Sequence, residues 1–166
     1  MPLVLLVVGD YPAAAFYLFL AAALSDGVDG YIAKRFNGCS PLGAVLDPAA
    51  DKILVASLFT ALAAVGAVPM WLVLLIVSRD LVIVGGAMAL RWRVGGFRIE
   101  PLVIGKFCTF LQLVLGGFLL GHRAGIAEVG WMIEPLLLAV AAVTFVSAVA
   151  YVATGLRLNS AADRIA

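Results

Sequence analysis

Charge is scarce in this sequence. Only 13% of its 166 residues are Asp, Glu, Lys or Arg, where a water-soluble domain carries about 25%. Histidine occurs once, as His122, and cysteine twice, as Cys39 and Cys108. The two cysteines are far apart and form no Cys-x-x-Cys or Cys/His pattern, which removes the usual zinc and thiol-redox sites; both read as small apolar residues. His122 has no nucleophile or metal partner nearby and reads as a loop residue, so Ser/His/Asp and Cys/His chemistry are excluded with it. No P-loop and no dinucleotide fingerprint is present. The net charge of +1 is uninformative as a sum, and nothing points to nucleic acid.

What fills the chain instead is apolar. Hydrophobic residues make up 64% of it and the mean hydropathy is +1.14, the composition of an all-α integral membrane helix bundle forming one domain over residues 1–166. A span needs about 20 residues. Residues 1–8 are too short for that and end at the turn Gly9-Asp10-Tyr11-Pro12; they are either the end of a first span whose beginning lies outside this sequence or an interfacial segment. No basic residue precedes them, so a secretory signal is not expected. Spans are expected from Pro12 to about Arg35, from near Pro41 to about Val65, from Met70 to about Leu90, from Glu100-Pro101 to about Leu120, and from Met132 to about Thr154. Asn37-Gly38 and Gly66-Ala-Val-Pro69 mark turns, Arg91, Arg93 and Arg98 a basic loop, residues 157–166 a polar tail, and Trp131 an interface anchor. Lys106, Thr109 and Gln112 recur at intervals of three in the fifth span and are expected on one face.

Against that background, four of the ten acidic residues fall between positions 26 and 51. Asp26 and Asp29 are three apart and Asp47 and Asp51 four apart, spacings that put each pair on one face of a helix. An ionised Asp at mid-bilayer costs about 2.5–3.5 kcal/mol, and four together repel. Such a group must be partly protonated, open to water or neutralised by cations. Two divalent ions cancel four carboxylates; oxygen donors favour Mg2+, Mn2+ or Ca2+, and paired metals suit displacement at phosphorus. Gly30, Ala33 and Gly43 lie on or beside the acidic faces, where missing side chains allow close helix approach or room for a ligand.

The string Asp26-x-x-Asp29-Gly30-x-x-Ala33-Lys34, eight residues, Gly43-x-x-x-Asp47-x-x-x-Asp51 resembles the signature of the CDP-alcohol phosphotransferase family, matching it in all four Asp, both Gly and the Ala. Lys34 stands where Arg is usual; it keeps the charge but loses the two-pronged guanidinium fork. The resemblance implies a six-span fold, here with the first span apparently truncated, and transfer of a phosphatidyl group from CDP-diacylglycerol to an alcohol with release of CMP. It implies two Mg2+ or Mn2+ ions on Asp26, Asp29, Asp47 and Asp51, with Asp51 as general base, and passage of the cytidine nucleotide along Gly30, Ala33 and Gly43, with Lys34 or Arg35 at its phosphates. A homodimer is expected from the family alone.

The acceptor is less determined. Ser78-Arg79-Asp80 and the segment Gly105 to Gln112 resemble the bacterial glycerol-acceptor branch. Glycerol 3-phosphate, as in phosphatidylglycerophosphate synthases, stands slightly ahead of phosphatidylglycerol, as in CMP-forming cardiolipin synthases. Arg79 and Lys106 are the candidates for an acceptor phosphate; the competing reading of Arg79 is an ion pair with Asp80 or another carboxylate that locks helices together. Placing the 34–42, 91–101 and C-terminal segments on one side collects Lys34, Arg35, Arg91, Arg93, Arg98, Arg157 and Arg164 there, with Lys106 close by, and leaves Arg123 alone in the opposite loops. The positive-inside rule makes the basic side cytosolic, hence a multi-pass protein of the bacterial inner membrane with its active site facing the cytosol. Two other classes remain: a small transporter using intramembrane acids, which would need inverted repeats that are not seen, and an inactive homologue that assembles with a full-length partner.

Overall fold

A computed structural model of the chain describes residues 2–36, 43–94, 103–126 and 128–162, with side chains described outside 26–36, 43–51, 87, 89–94, 103 and 157–162. The described residues form six helices and no strand: α1 (Pro2–Val8), α2 (Pro12–Phe36), α3 (Gly43–Ala64), α4 (Met70–Val94), α5 (Val103–Arg123) and α6 (Gly130–Ala162). The expected 37–42 turn, Cys39, Arg98 and the Glu100-Pro101 start of the fifth span lie outside the described residues.

Three of the turns share one construction. At the C-termini of α1, α3 and α5 a single residue takes a left-handed backbone: Asp10 at φ 59°, Gly66 at φ 70° and Gly125 at φ 66°. The amide after each bonds back to the carbonyl five residues earlier, as Tyr11 to Leu6, Ala67 to Leu62 and Ile126 to Gly121. These are Schellman closures, which satisfy carbonyls that the helix end would otherwise orphan. Glycine takes this conformation without a Cβ clash, and Asp is among the few other residues that tolerate it. Arg123 joins the three closures, donating to the Val65 carbonyl at 3.5 Å and to Asp10 Oδ1 at 3.2 Å, so the three turns lie at one end of the bundle.

The helices touch in ring order α1, α2, α5, α6, α4, α3 and back to α1, with α3 also reaching α5 across the middle. Leu58, Phe59 and Leu62 of α3, Leu72 and Ile76 of α4, Leu115 and Leu120 of α5 and Phe19 of α2 form the buried core. The outside is apolar too: Leu74, Leu81, Phe110, Leu138, Phe145, Val149 and Leu156 all face outward. A water-soluble protein rarely exposes so much contiguous hydrocarbon, whereas a bilayer requires it. By length and composition α5 over Ile104–Arg123 and α6 over Gly130–Leu156 are each able to cross one. Tyr11, Trp71 and Trp131 are exposed at the end where the three closures lie, the position of an aromatic girdle at a membrane face. The chain is a membrane helix bundle.

Three helix ends differ from expectation. α4 continues to Val94, so Arg91 and Arg93 are helical; α5 continues to Arg123, so His122 sits in its last turn; α6 runs to Ala162, so Arg157 extends the helix instead of opening a tail. Apolar content marks where a span leaves hydrocarbon, but the backbone ladder continues until a breaker intervenes. None stands at 91–94 or 156–162.

Where α2, α3 and α5 meet, a Cβ on Gly116 would lie 2.9 Å from Leu58 Cδ2, while one on Gly117 would lie 3.5 Å from the Phe19 ring. Gly116→Val should therefore destabilise the bundle by about 1–3 kcal/mol, read as a lower unfolding temperature in detergent. Gly117→Ala should stay within about 0.5 kcal/mol of the parent.

Candidate active site at the charged end of the bundle

The end opposite the three closures holds the buried charge. Arg79, only 2% exposed, lies among α4, α5 and α6. Its Nη1 donates to Asp80 Oδ1 at 2.6 Å, Nη2 and Nε donate to Ser147 Oγ at 3.1 and 3.3 Å, and Nη2 also donates to the Gly105 carbonyl at 3.3 Å. The guanidinium carbon stands 5.9 Å from the centre of the Tyr151 ring, a cation–π distance. From α3, Lys52 donates to the same Asp80 Oδ1 at 2.6 Å. One carboxylate oxygen thus binds two cations, tying α3 to α4, while the guanidinium ties α4 to α5 and α6.

Local sequence explains how an arginine fits there. On α5, Gly105, Cys108 and Gln112 follow one another at intervals of three and four, and on α6, Thr144, Ser147 and Tyr151 do the same, so each set forms one stripe. Packed antiparallel, the stripes make a polar seam: Cys108 Sγ lies 3.3 Å from Thr144 Oγ1, and Gln112 Nε2 lies 3.5 Å from each of those atoms. Gly105 allows close approach at the top of the seam: a Cβ there would lie 2.8 Å from the Tyr151 hydroxyl and 3.2 Å from Arg79 Nη2, so the ends of both side chains would have to shift. Cys108 is therefore part of a polar contact rather than a filler. Every buried side-chain nitrogen and oxygen among the described residues has a hydrogen-bond partner, as a low-dielectric interior demands.

The residues singled out in the sequence divide unevenly over this geometry. The continuous backbone of α2 carries positions 26, 29, 30, 33 and 34, and that of α3 carries 43, 47 and 51, so the spacings of three and four are realised on helices. The side chains of Asp26, Asp29, Ala33, Lys34, Asp47 and Asp51, and the surroundings of Gly30 and Gly43, lie outside the described residues. Arg79 is enclosed and engaged by Asp80 and Ser147, the helix-locking arrangement. Lys106 is exposed at the start of α5. The expected row of Lys106, Thr109 and Gln112 turns from exposed to half-buried to buried, because each step of three falls about 60° short of a full turn. Lys52 was missed, although a lysine directly after Asp51 in an apolar span was a signal in plain view.

Beside the acid-bearing stretches lies an apolar cavity of about 420 Å³, bounded by Leu3 and Val4 of α1, Leu18 and Ala22 of α2, and Ile53 and Leu54 of α3. Ala22 is one helical turn before Asp26, and Ile53 comes two residues after Asp51. An apolar slot therefore adjoins the polar end on the side away from the Arg79 seam.

The class that these features define is a membrane helix bundle whose second and third helices carry acids at helical spacings, with a buried cation network towards the same end. A profile of the CDP-alcohol phosphatidyltransferase family matches residues 1–147, and the chain belongs to that family. It is 34% identical over 161 residues to a Schizosaccharomyces pombe protein described as a cardiolipin synthase (CMP-forming) / mitochondrial hydrolase fusion, with 88% of this chain and 27% of that protein covered. It is 33% identical over 128 residues to the Bacillus subtilis CDP-diacylglycerol--glycerol-3-phosphate 3-phosphatidyltransferase, covering 77% and 65%. With the human cardiolipin synthase (CMP-forming) it shares 33% identity over 117 residues, covering 61% and 39%. The chain thus spans less than two thirds of each of these three relatives.

The network makes a prediction about stability. Asp80→Asn would leave the buried Arg79 guanidinium without its counter-charge and should cost about 3–5 kcal/mol. Ser147→Ala removes one neutral partner and should cost about 1 kcal/mol. Thermal unfolding of the two variants in detergent checks the order.

Proposed function

We propose that the chain transfers a phosphatidyl group from CDP-diacylglycerol to the hydroxyl of a glycerol-based acceptor, releasing CMP, in phospholipid synthesis. The observation that carries this reading is the Asp26/Asp29 and Asp47/Asp51 spacing on two unbroken helices of a member of this family. Four hard oxygen donors at helical spacings fit two Mg2+ or Mn2+ ions better than softer metals, so Asp26, Asp29, Asp47 and Asp51 are assigned to hold them. Bound there, the dications would supply charge neutralisation for the diphosphate and for the departing CMP.

The remaining steps belong to the protein's own groups. Gly30, Ala33 and Gly43 leave the backbone open to the cytidine nucleotide, and Lys34 meets its phosphates as a point charge. The cavity between α1, α2 and α3 suits hydrocarbon from the donor lipid, because its lining is apolar and it adjoins the acids where the headgroup must sit. Asp51 takes the proton of the acceptor hydroxyl as that oxygen attacks the β-phosphorus, the one attached to diacylglycerol, and the bond between that phosphorus and the bridging oxygen breaks to free CMP. Holding the two reactants at fixed separation contributes much of the acceleration. Glycerol 3-phosphate is the acceptor preferred here, giving phosphatidylglycerophosphate. Phosphatidylglycerol, giving cardiolipin, is the second reading and is favoured by the similarity to cardiolipin synthases. The basic residues at the acid-bearing end support a bacterial inner-membrane protein whose active site faces the cytosol, and the family supports a homodimer.

Purified protein in detergent with Mg2+ or Mn2+ and labelled CDP-diacylglycerol should release CMP on addition of glycerol 3-phosphate. Asp51→Asn should lower the rate on the order of 100-fold or more, in the range for loss of a general base. Release with phosphatidylglycerol alone would move the assignment to cardiolipin synthesis, and release with neither would refute a glycerol-based acceptor.

A further inference from the structure

Charge at the Arg79 network does not balance within the network itself. Lys52 and Arg79 both bind Oδ1 of Asp80, so two cations share one anion and the trio carries a single excess positive charge. Among the described residues no second acid pairs with either cation; Asp10 pairs with Arg123 at the far end, and Glu128 and Glu134 belong to that end as well. Arg79 cannot present the excess charge to a ligand, being enclosed. Lys52 can, since its side chain is 30% exposed while that of Asp80 is 15%. An ammonium has three N–H donors and the Asp80 contact uses one, which leaves capacity for a ligand oxygen. The carboxylate, itself anchored by the buried guanidinium, restricts the rotamers of a side chain that is otherwise among the most mobile, so the ordering cost of binding is reduced in advance.

We infer that Lys52 is a phosphate-binding residue, held in position by Asp80 and Arg79, that contacts an anionic phosphoryl group of a substrate bound beside the start of α3. This rests on the phosphatidyl-transfer reading for the identity of the substrates, and it replaces Arg79 as the direct contact. Lys52 follows Asp51 in the chain, so a phosphate it holds is near the proposed general base. Two substrate phosphates meet that description: the phosphate of glycerol 3-phosphate and the diphosphate of the CDP-linked donor. The chemistry is the same for both, a cation donating to a phosphate oxygen.

The test is a binding titration, independent of turnover, of the full chain in detergent with glycerol 3-phosphate in one arm and CDP in the other. Lys52→Gln should weaken one arm on the order of tenfold, the scale of a hydrogen bond to a charged group, and Lys52→Arg should hold it near the parent. Weakening in the first arm assigns the contact to the acceptor, and in the second to the donor. Unfolding temperature controls for folding: Lys52→Gln loses the tie from α3 to α4 and should lower it modestly, while Asp80 keeps its bond to Arg79 and the bundle stays folded at the temperature of the titration. Affinities within twofold of the parent in both arms, or no binding of either compound by the parent, would overturn the inference. Phosphate binding that depends on Lys52 without CMP release from any acceptor would instead keep this site and refute phosphatidyl transfer.

Discussion

An ion inside an apolar helix bundle must be paired or watered, and most of this molecule follows from that constraint. Arg79 is the clearest case. One guanidinium in the middle of α4 is met by a carboxylate beside it, a hydroxyl on α6, the Gly105 carbonyl on α5 and an aromatic face that covers it. Glycine at 105 lets the Tyr151 and Arg79 side chains approach the α5 backbone closely. Three of the six helices are thereby fixed around one side chain, and Lys52 extends the hold to a fourth. Hydrocarbon packing between spans does not discriminate strongly among rotations in a lipid environment; a buried ion with fixed partners does.

The two ends of the bundle consequently do different work. At the Asp10, Gly66 and Gly125 end the chain turns tightly, closes three helices with the same hydrogen-bond pattern and anchors exposed Tyr11, Trp71 and Trp131. The ion pair described there, Arg123 with a largely exposed Asp10, is of the kind that contributes little on its own. The other end carries the buried charge, the polar seam between α5 and α6, and the backbone positions of the four acids. The proposed reaction on a lipid headgroup would need that asymmetry, because the headgroup would stay with the polar groups while its chains stay in hydrocarbon. The apolar slot beside Ala22 and Ile53 stands at that boundary.

Much of the fold was legible because spans and their breakers are strong signals. Gly9 to Pro12 and Gly66 to Pro69 located two of the turns, and the order of spans followed from apolar runs. Helix ends were less legible: Arg91, Arg93 and Arg157 read as loop or tail on charge alone, yet their stretches contain no residue that stops a helix. The helical backbone that carries the four acids was legible by spacing. The polar seam was not, since Cys108, Thr144 and Ser147 are unremarkable until two stripes from separate helices are brought face to face. Arg79 carried two open readings because sequence names the charge and not its partners. Lys52 escaped notice because its role depends on Asp80, 28 positions away.

The central claim is that α2 and α3 together present four carboxylates that act as one divalent-ion site. Its most direct test is titration of the purified chain with Mn2+ followed by electron paramagnetic resonance. The account predicts two ions bound per chain, close enough to broaden each other's signal, at the about 4 Å separation of paired-metal sites, and loss of both on combining Asp29→Asn with Asp47→Asn. Independent, uncoupled ions, or binding that survives the double substitution, would contradict it.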